Sequence, residues 1–468
     1  MSLENLFCIY VGYLLTAYSC CKAAKGFDEE YEFVFGIPKT YDPNIPHVLL
    51  STSSPDPVNA TVTIPGTDFY EERSVTRTTY VDVALPNSVY LTGNGTDNNK
   101  TVVVRSSAKV SVHVMVNNGR SGDGFLVLPT SQLGVDHYVL SYTPYLWGSN
   151  YPSFICVSAT GKRSFVRIRT VSGRTYDVAL QRYESYQLIG NLGEDLSGSR
   201  IISDHAVAVI AGTQCSYIDD GGCDALVEQM LPVQLWGTRV VLSPFAGKDN
   251  GYIYRVLGSN RTTEAIISDI GMVTLTEGKW YEGNMTDAAI VTIDSDFPIF
   301  VMQYIKGGGS TMPRADTSMI IAPSRNIYTN IVTFPVYEVA VSTNKYFIHM
   351  IVNCNQVKGV TFDKNNSIAS WELLATSDGD ICSARREITA GSVHSISLED
   401  ENVTFTVAVY GLVEDGHKSS YAYLADIQNV ENSPAAEKPP TSIATLTEFS
   451  SLTCCTICSV LLLFLLYT

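Results

Sequence analysis

The chain has 468 residues, of which 45% are hydrophobic and 10% aromatic, and its formal net charge is −16. That is ample apolar material for several packed domains. With no basic run to neutralise phosphates, nucleic-acid binding is excluded as a main activity.

The N-terminus, "MSLENLFCIYVGYLLTAYSCCKAAKG", carries an apolar run from Leu6 to about Thr16, followed by small residues. This is the layout of a secretory signal over residues 1–19, and cleavage after Ser19 or after Ala23 both fit. Self-similarity then organises the chain. A Pro preceded by apolar residues recurs at Pro38, Pro129, Pro232 and Pro323. In the same phase run "SSAKVSVHV" from Ser106, "SDHAVAVIA" from Ser203, "SDFPIFVMQ" from Ser295 and "EDENVTFTV" from Glu399, each followed by a Gly: Gly119, Gly212, Gly307 and Gly411. Two landmarks in step predict four tandem modules, at 30–128, 129–231, 232–322 and 323–425.

Within a module the period is two. "SFVRIRTV" sets Val166 and Ile168 against Arg167 and Arg169, and Val110, Val112, Val114 and Val116 alternate with polar neighbours. Both read as strands with one face in a core. Only "CDALVEQM" offers a short helical possibility. The predicted fold class is all-β, with tandem antiparallel β-sandwich modules, four repeats of about 90–100 residues each.

Beyond Ala425 the chain is rich in Pro, Ser, Thr and Ala, and residues 426–451 read as a flexible stalk. The last segment, 452–468, ends in "SVLLLFLLYT". Two readings stand: a lipid-anchor signal, with Ser442 as attachment site and Asn432 or Ser433 as rivals, or a tail helix that anchors the chain in the membrane. Both place the bulk of the protein on the extracellular face of the plasma membrane.

Seven sequons, at Asn59, Asn94, Asn99, Asn260, Asn284, Asn365 and Asn402, predict N-glycosylation on surface loops. Of the eleven cysteines, Cys156, Cys215, Cys223, Cys354 and Cys382 lie outside the two terminal segments. In an oxidising compartment Cys215 pairs locally with Cys223 and Cys354 with Cys382, leaving Cys156 as a buried small hydrophobe. Between the first pair sit Asp219 and Asp220, with Asp224 just beyond; a structural staple with solvated carboxylates is preferred to a calcium loop, because the spacing supplies too few ligands.

Catalytic signatures are not met. The seven histidines show no zinc-protease spacing, no G-x-S-x-G elbow occurs, and "KGGGS" at Lys306–Ser310 reads as a turn rather than a phosphate loop. The expectation is a protein that is not an enzyme and takes no cofactor or metal. "YVLSYTPYLWGSNY" crowds Tyr138, Tyr142, Tyr145, Trp147 and Tyr151 together. Tyr138 and Tyr142 suit a strand facing a core, whereas Tyr145 and Trp147 sit in a turn and are the candidate ligand contacts.

Three segments carry a family resemblance: "LPTSQLGVDHYVLSY", "YQLIGNLGEDLSGSRIISDHAVAVIAGTQC" and "CDALVEQMLPVQLWGTRVVLSPF". They resemble the IgGFc-binding protein N-terminal domain family through Asp195, Leu196, Gly198, Ile201, Ser203, Asp204, Val207, Val209, Gly212 and Cys215. Cys223, Asp224, Glu228, Gln229, Pro232, Trp236 and Gly237 continue the pattern. Ala206 departs from it, standing where the family has Pro. The resemblance implies a secreted or surface-exposed recognition region whose partner is an extracellular protein or glycoprotein, immunoglobulin Fc among them. It assigns no Fc-contact residue. The namesake's cysteine-rich von Willebrand type D modules do not appear in this sequence, so covalent network assembly is not expected. The expected function is noncovalent recognition by a membrane-tethered glycoprotein; the alternative is a structural coat or adhesion component with no soluble ligand.

Overall fold

The computed structural model describes residues 31–428, except short segments at 42–44, 117–120, 147–150, 220–221, 287–288, 310–314, 340–343, 365–370, 377–378, 401 and 414–419. The signal segment, Ser442, the stalk beyond Gln428 and the C-terminal tail lie outside the described residues, as do Trp147 and Asn365. The chain is all-β, and apart from one two-residue parallel pair its ladders are antiparallel. No helix among the described residues is long and apolar enough to cross a membrane.

One strand order recurs four times. In the second module the long strand Arg200–Ser216 pairs through its first half with Gly134–Tyr138 and Ser164–Arg169, the latter continued by Thr175–Leu180. Its second half pairs with Ser153–Ala159 and the closing strand Asp224–Gln229. The third module repeats this around Val291–Ile305, with Ser318–Ile321 closing. In the first module the long strand is split into Val102–Ser106 and Ser111–Met115, and its halves lie in two separate four-stranded sheets. In the fourth it is split into Ser392–Leu398 and Thr406–Val413. Gly212 is required inside the second long strand because a Cβ there would overlap the Leu226 carbonyl oxygen of the closing strand.

Each later module opens on a single 3-10 turn, at Thr130–Gln132, Val233–Leu235 and Arg325–Ile327, just after Pro129, Pro232 and Pro323. Proline fixes φ there and has no amide hydrogen to satisfy. Pro38 is a different feature: it follows its module's first strand and sits in the short strand Ile37–Pro38. "CDALVEQM" is not helical either; Asp224–Gln229 is a strand buried at every position, so its apolar spacing reflects burial on both faces. The same cause overturns the half-buried reading of the Val112 segment, since Ser111–Met115 is buried throughout. One face packs on the first module's core, while Met115 and Leu49 join the fourth module's core.

The closing strands Gly124–Val127, Asp224–Gln229, Ser318–Ile321 and Tyr421–Leu424 adjoin one another in a closed circuit, so the fourth module returns to the first. Asp123 is the hub. It accepts from its neighbour Gly124 N (3.0 Å), from Val227 N (3.2 Å), from Ser318 Oγ (2.7 Å) and Met319 N (3.2 Å), and from Ala422 N (3.3 Å), and thus touches all four modules. Beside it Glu228 accepts from Ile321 N, and the Gln229 side chain accepts from Leu128 N. Burial pushes the Asp123 carboxyl up to about 8, against the pull of its donors, and pushes Glu228 well above the usual range. The circuit is locked by Asp426–Gln428. Asp426 pairs with Lys109 (3.1 Å), Ile427 is buried, and Gln428 N donates to Ile327 O (3.0 Å). These three residues belong to the folded body, not to a stalk.

Candidate functional site

The strand Arg200–Ser216 ends at the disulfide Cys215–Cys223, and the chain wraps around that end. Tyr145 N donates to Cys215 O (2.8 Å) and Ser216 Oγ to Thr143 O (3.0 Å), while Gln214 N donates to Pro152 O (3.0 Å) and Tyr41 N to Gln214 O (3.0 Å). Two aromatic pairs result. Tyr145 stacks on Tyr217 with centroids 5.7 Å apart, and Tyr41 meets Tyr151 edge-on at 4.9 Å. Leu146 packs over Gly193, and it remains 55% exposed beside Leu192 at 69% and Tyr217 at 42%. The result is an open apolar rim held by a covalent staple and backbone bonds. Tyr138 is fully buried and Tyr142 half-buried, so these two serve the core. Sequence reasoning reached Tyr145 but missed Tyr41, Leu192 and Tyr217. Tyr217 follows Cys215 by two residues, a signal that could have placed it on the rim.

The acidic loop divides. Asp224 is no solvated carboxylate: it is fully buried, accepts from Gly122 N and Ala225 N, and burial followed by the nearby charge of Asp316 holds it well above the usual range. Asp219 takes a positive φ of 68° and bridges Gly307, which ties the stapled loop to "KGGGS". Lys306 in that segment is buried, its Nζ donating to Asn250 O and Met285 O. Asp220 lies outside the described residues. Among the described residues no three His, Cys, Asp or Glu side chains converge as metal ligands. The second disulfide joins Cys354 to Cys382, and Cys156 is free and buried.

Among the described residues a Ser-His-Asp array occurs in the fourth module. Ser392 Oγ lies 2.9 Å from His394 Nε2, and His394 Nδ1 lies 2.6 Å from Asp363 Oδ2. The spacing is that of a triad. The Ser392 hydroxyl also donates to Thr389 O (2.8 Å), and Nε2 faces the same carbonyl at 3.3 Å. The ring stacks against Phe362, and Asp363 also accepts from Ser395 N. Burial raises the Asp363 carboxyl, yet the bonds from His394 and Ser395 outweigh it and leave it below the ordinary value. The array is built as a brace on the Asp363 turn, whose φ is positive at Asp363 and Lys364.

All six described sequon asparagines are exposed, although Asn59 and Asn284 sit in strands rather than loops. Their distribution is uneven. No sequon falls between Gly134 and Gln229, and that module carries seven of the fifteen large exposed hydrophobics: Val135, Leu146, Phe165, Val171, Leu192, Ile202 and Tyr217. Asn94 lies at its border, where its side chain accepts from Ile189 N (2.6 Å).

Fold and site together define an extracellular-type all-β repeat protein with disulfide-braced loops. More narrowly, the chain belongs to the IgGFc-binding protein family, whose model matches residues 123–411. It is similar to the IgGFc-binding protein of Homo sapiens, with 24% identity over 350 residues that cover 71% of this chain and 6% of that protein. The chain thus spans a small part of its relative's length. Among solved structures, the BSP domain of a biofilm associated protein is 8% identical and covers 87% of this chain and 98% of that one, but its TM-score of 0.14 carries no argument.

Proposed function

We propose that this protein is a cell-surface glycoprotein that recognises extracellular glycoproteins noncovalently, using the second module as its contact face. The observation that carries the reading is the coincidence of two distributions: among the described residues, the module without a sequon is the one with the most exposed large hydrophobic side chains. Glycans keep contact surfaces apart, and a bare, aromatic-rimmed face between glycosylated ones is where a partner can seat. Family membership supports an extracellular binding role, and the human relative's name makes the Fc part of immunoglobulin G the first ligand to test. The function is noncatalytic, and the C-terminal segment tethers the protein to the membrane.

The test installs a glycan on the rim. Tyr145→Asn with Trp147→Thr creates the sequon Asn-Leu-Thr in the protein expressed through a eukaryotic secretory pathway. Binding to immobilised immunoglobulin Fc, and to a panel of serum and mucosal glycoproteins, is expected to fall at least tenfold with the circular dichroism spectrum unchanged. Binding that survives the added glycan removes the second module as the contact face. No soluble partner, together with self-association, points instead to the coat or adhesion role. Release of the intact protein from cells by a phosphatidylinositol-specific phospholipase checks the lipid form of the tether.

A further inference from the structure

A second site lies away from the rim, where the third and fourth modules meet. A groove of about 410 Å³ opens there, within the range of small-ligand clefts. One wall is a cross-strand ladder, Arg239 opposite Asp294 and Val241 opposite Thr292. The other wall is set by the disulfide Cys354–Cys382: Asn353 and Asn355 flank the first cysteine, and Asp380 and Ile381 precede the second. Cys354 N donates to Asp380 O (3.0 Å), and Ile381 N is capped by Thr376 Oγ1 (3.1 Å), so this wall is fixed before any ligand arrives. Arg325, on the 3-10 turn that opens the fourth module, bonds Asn353 Oδ1 (3.1 Å) within that module.

The lining chemistry selects a ligand class. Two guanidinium groups, two amides and two carboxylates line it with no net charge among them; Arg239 pairs with Asp294 (2.5 Å) and Arg325 with Asn353, and each guanidinium and carboxylate keeps further donor or acceptor capacity. Val240, Val241, Ile293 and Ile381 stand behind them but are buried, so the exposed lining of the groove is mainly polar. A ligand that matches is neutral and carries several hydroxyls, each both donor and acceptor. An extended peptide is a poorer match, because strand addition needs a free edge. Here Val240 is already bridged to Ser324, and Asn344–Asn353 lies between two paired strands.

We propose that this groove is an oligosaccharide-binding site, held open by the Cys354–Cys382 disulfide and independent of the aromatic rim. The experiment uses the intact protein and saturation-transfer NMR, with N-acetyllactosamine and its sialylated form as probes and a glutamate-rich hexapeptide as the counter-probe. Saturation is expected on saccharide protons, with the response reduced at least tenfold in Asn355→Ala, an exposed position whose loss leaves the fold intact. Asp294→Asn, which keeps the side chain's size, should also weaken binding. Tyr145→Asn with Trp147→Thr should leave saccharide binding unchanged, which separates failure here from failure at the rim. The proposal is overturned if neither saccharide responds, if the response is indifferent to Asn355→Ala and Asp294→Asn, or if only the acidic peptide binds.

Discussion

Arg255 offers the sharpest test of how the modules are held together. Its side chain is only 2% exposed, yet it carries a full charge across the seam between the second and third modules. Asp195 Oδ2 accepts at 2.7 Å and Glu282 Oε2 at 2.9 Å, and Ser141 O (2.8 Å) and Ser197 Oγ (3.0 Å) take further bonds. The guanidinium lies over Trp280 at 3.9 Å and Tyr142 at 4.3 Å. Burial alone would lower its pKa, but Tyr304, Asp195 and Glu282 together raise it. Arg255→Met keeps much of the volume and removes every one of these bonds. Breaking a buried pair costs about 3–5 kcal/mol, chiefly through the charge left behind. Asp195 is 17% exposed and Glu282 33%, so both can rehydrate in part, and the lower end, about 3 kcal/mol, is expected. At a urea slope near 3 kcal/mol/M that is a fall of about 1 M in the midpoint, read through tryptophan fluorescence. Adding Asp195→Asn and Glu282→Gln should then restore about 1–2 kcal/mol by removing the stranded charges. A single substitution costing under about 1 kcal/mol, or a triple variant no better than the single, would refute the view that a charged network fastens this seam.

Stability should peak in mildly acidic solution. Asp123 is raised from an ordinary 3.8 to about 8, so its contribution is full below pH 4 and is lost as pH climbs toward 8; Asp123→Asn should flatten that limb in urea titrations run across the range. Burial lowers His113 to about 4 and His137 and His349 to about 3, so stability also falls as pH drops below 6.5, and His137→Gln, at a ring whose nitrogens have no partner among the described residues, should flatten the acid limb. Ser392→Ala should leave p-nitrophenyl ester turnover at the level of the unaltered protein, and a fluorophosphonate probe should not label Ser392; labelling would restore the triad reading. Gly212→Ala should destabilise by more than about 2 kcal/mol in thermal unfolding, since the overlap is with backbone rather than a side chain that can move.

What could be read from the sequence depended on whether solvent touched the element. Ser164–Arg169 alternates buried and exposed at each position, and its period of two was plain. Ser111–Met115 is covered on both faces because another module packs on it, and no local pattern announces a neighbour some 300 residues away. The same distance hides the hub. Asp123 is one acidic residue in "SGDG", and its partners are drawn from residues 227, 318, 319 and 422. The rim was half visible for a similar reason: Tyr145 stands in an aromatic cluster, whereas Tyr41 and Tyr217 reach it only through the backbone of Gln214 and Cys215.

Several of the residues that carry the family resemblance hold the modules together, while Cys215 and Cys223 staple the rim. Asp195 holds Arg255 across the second seam, and Gly198, at a φ of 87°, leaves room for the Gly278 carbonyl of the third module. Glu228 and Gln229 bond the third module and the first, and Trp236 Nε1 donates to Leu231 O at the junction turn. None of these seam side chains belongs to the exposed rim or to the groove. A pattern built from seam residues reports that modules pack around a common hub, and it is silent on what they bind. Ligand choice must then reside in positions the pattern leaves free, such as Tyr217, Leu192 and Asn355. Exchanging these for the residues of another family member should alter which glycoproteins or saccharides are captured while the urea midpoint stays within about 0.5 kcal/mol of its original value. If such exchanges changed stability and not selectivity, recognition would have to be sought in the seams themselves.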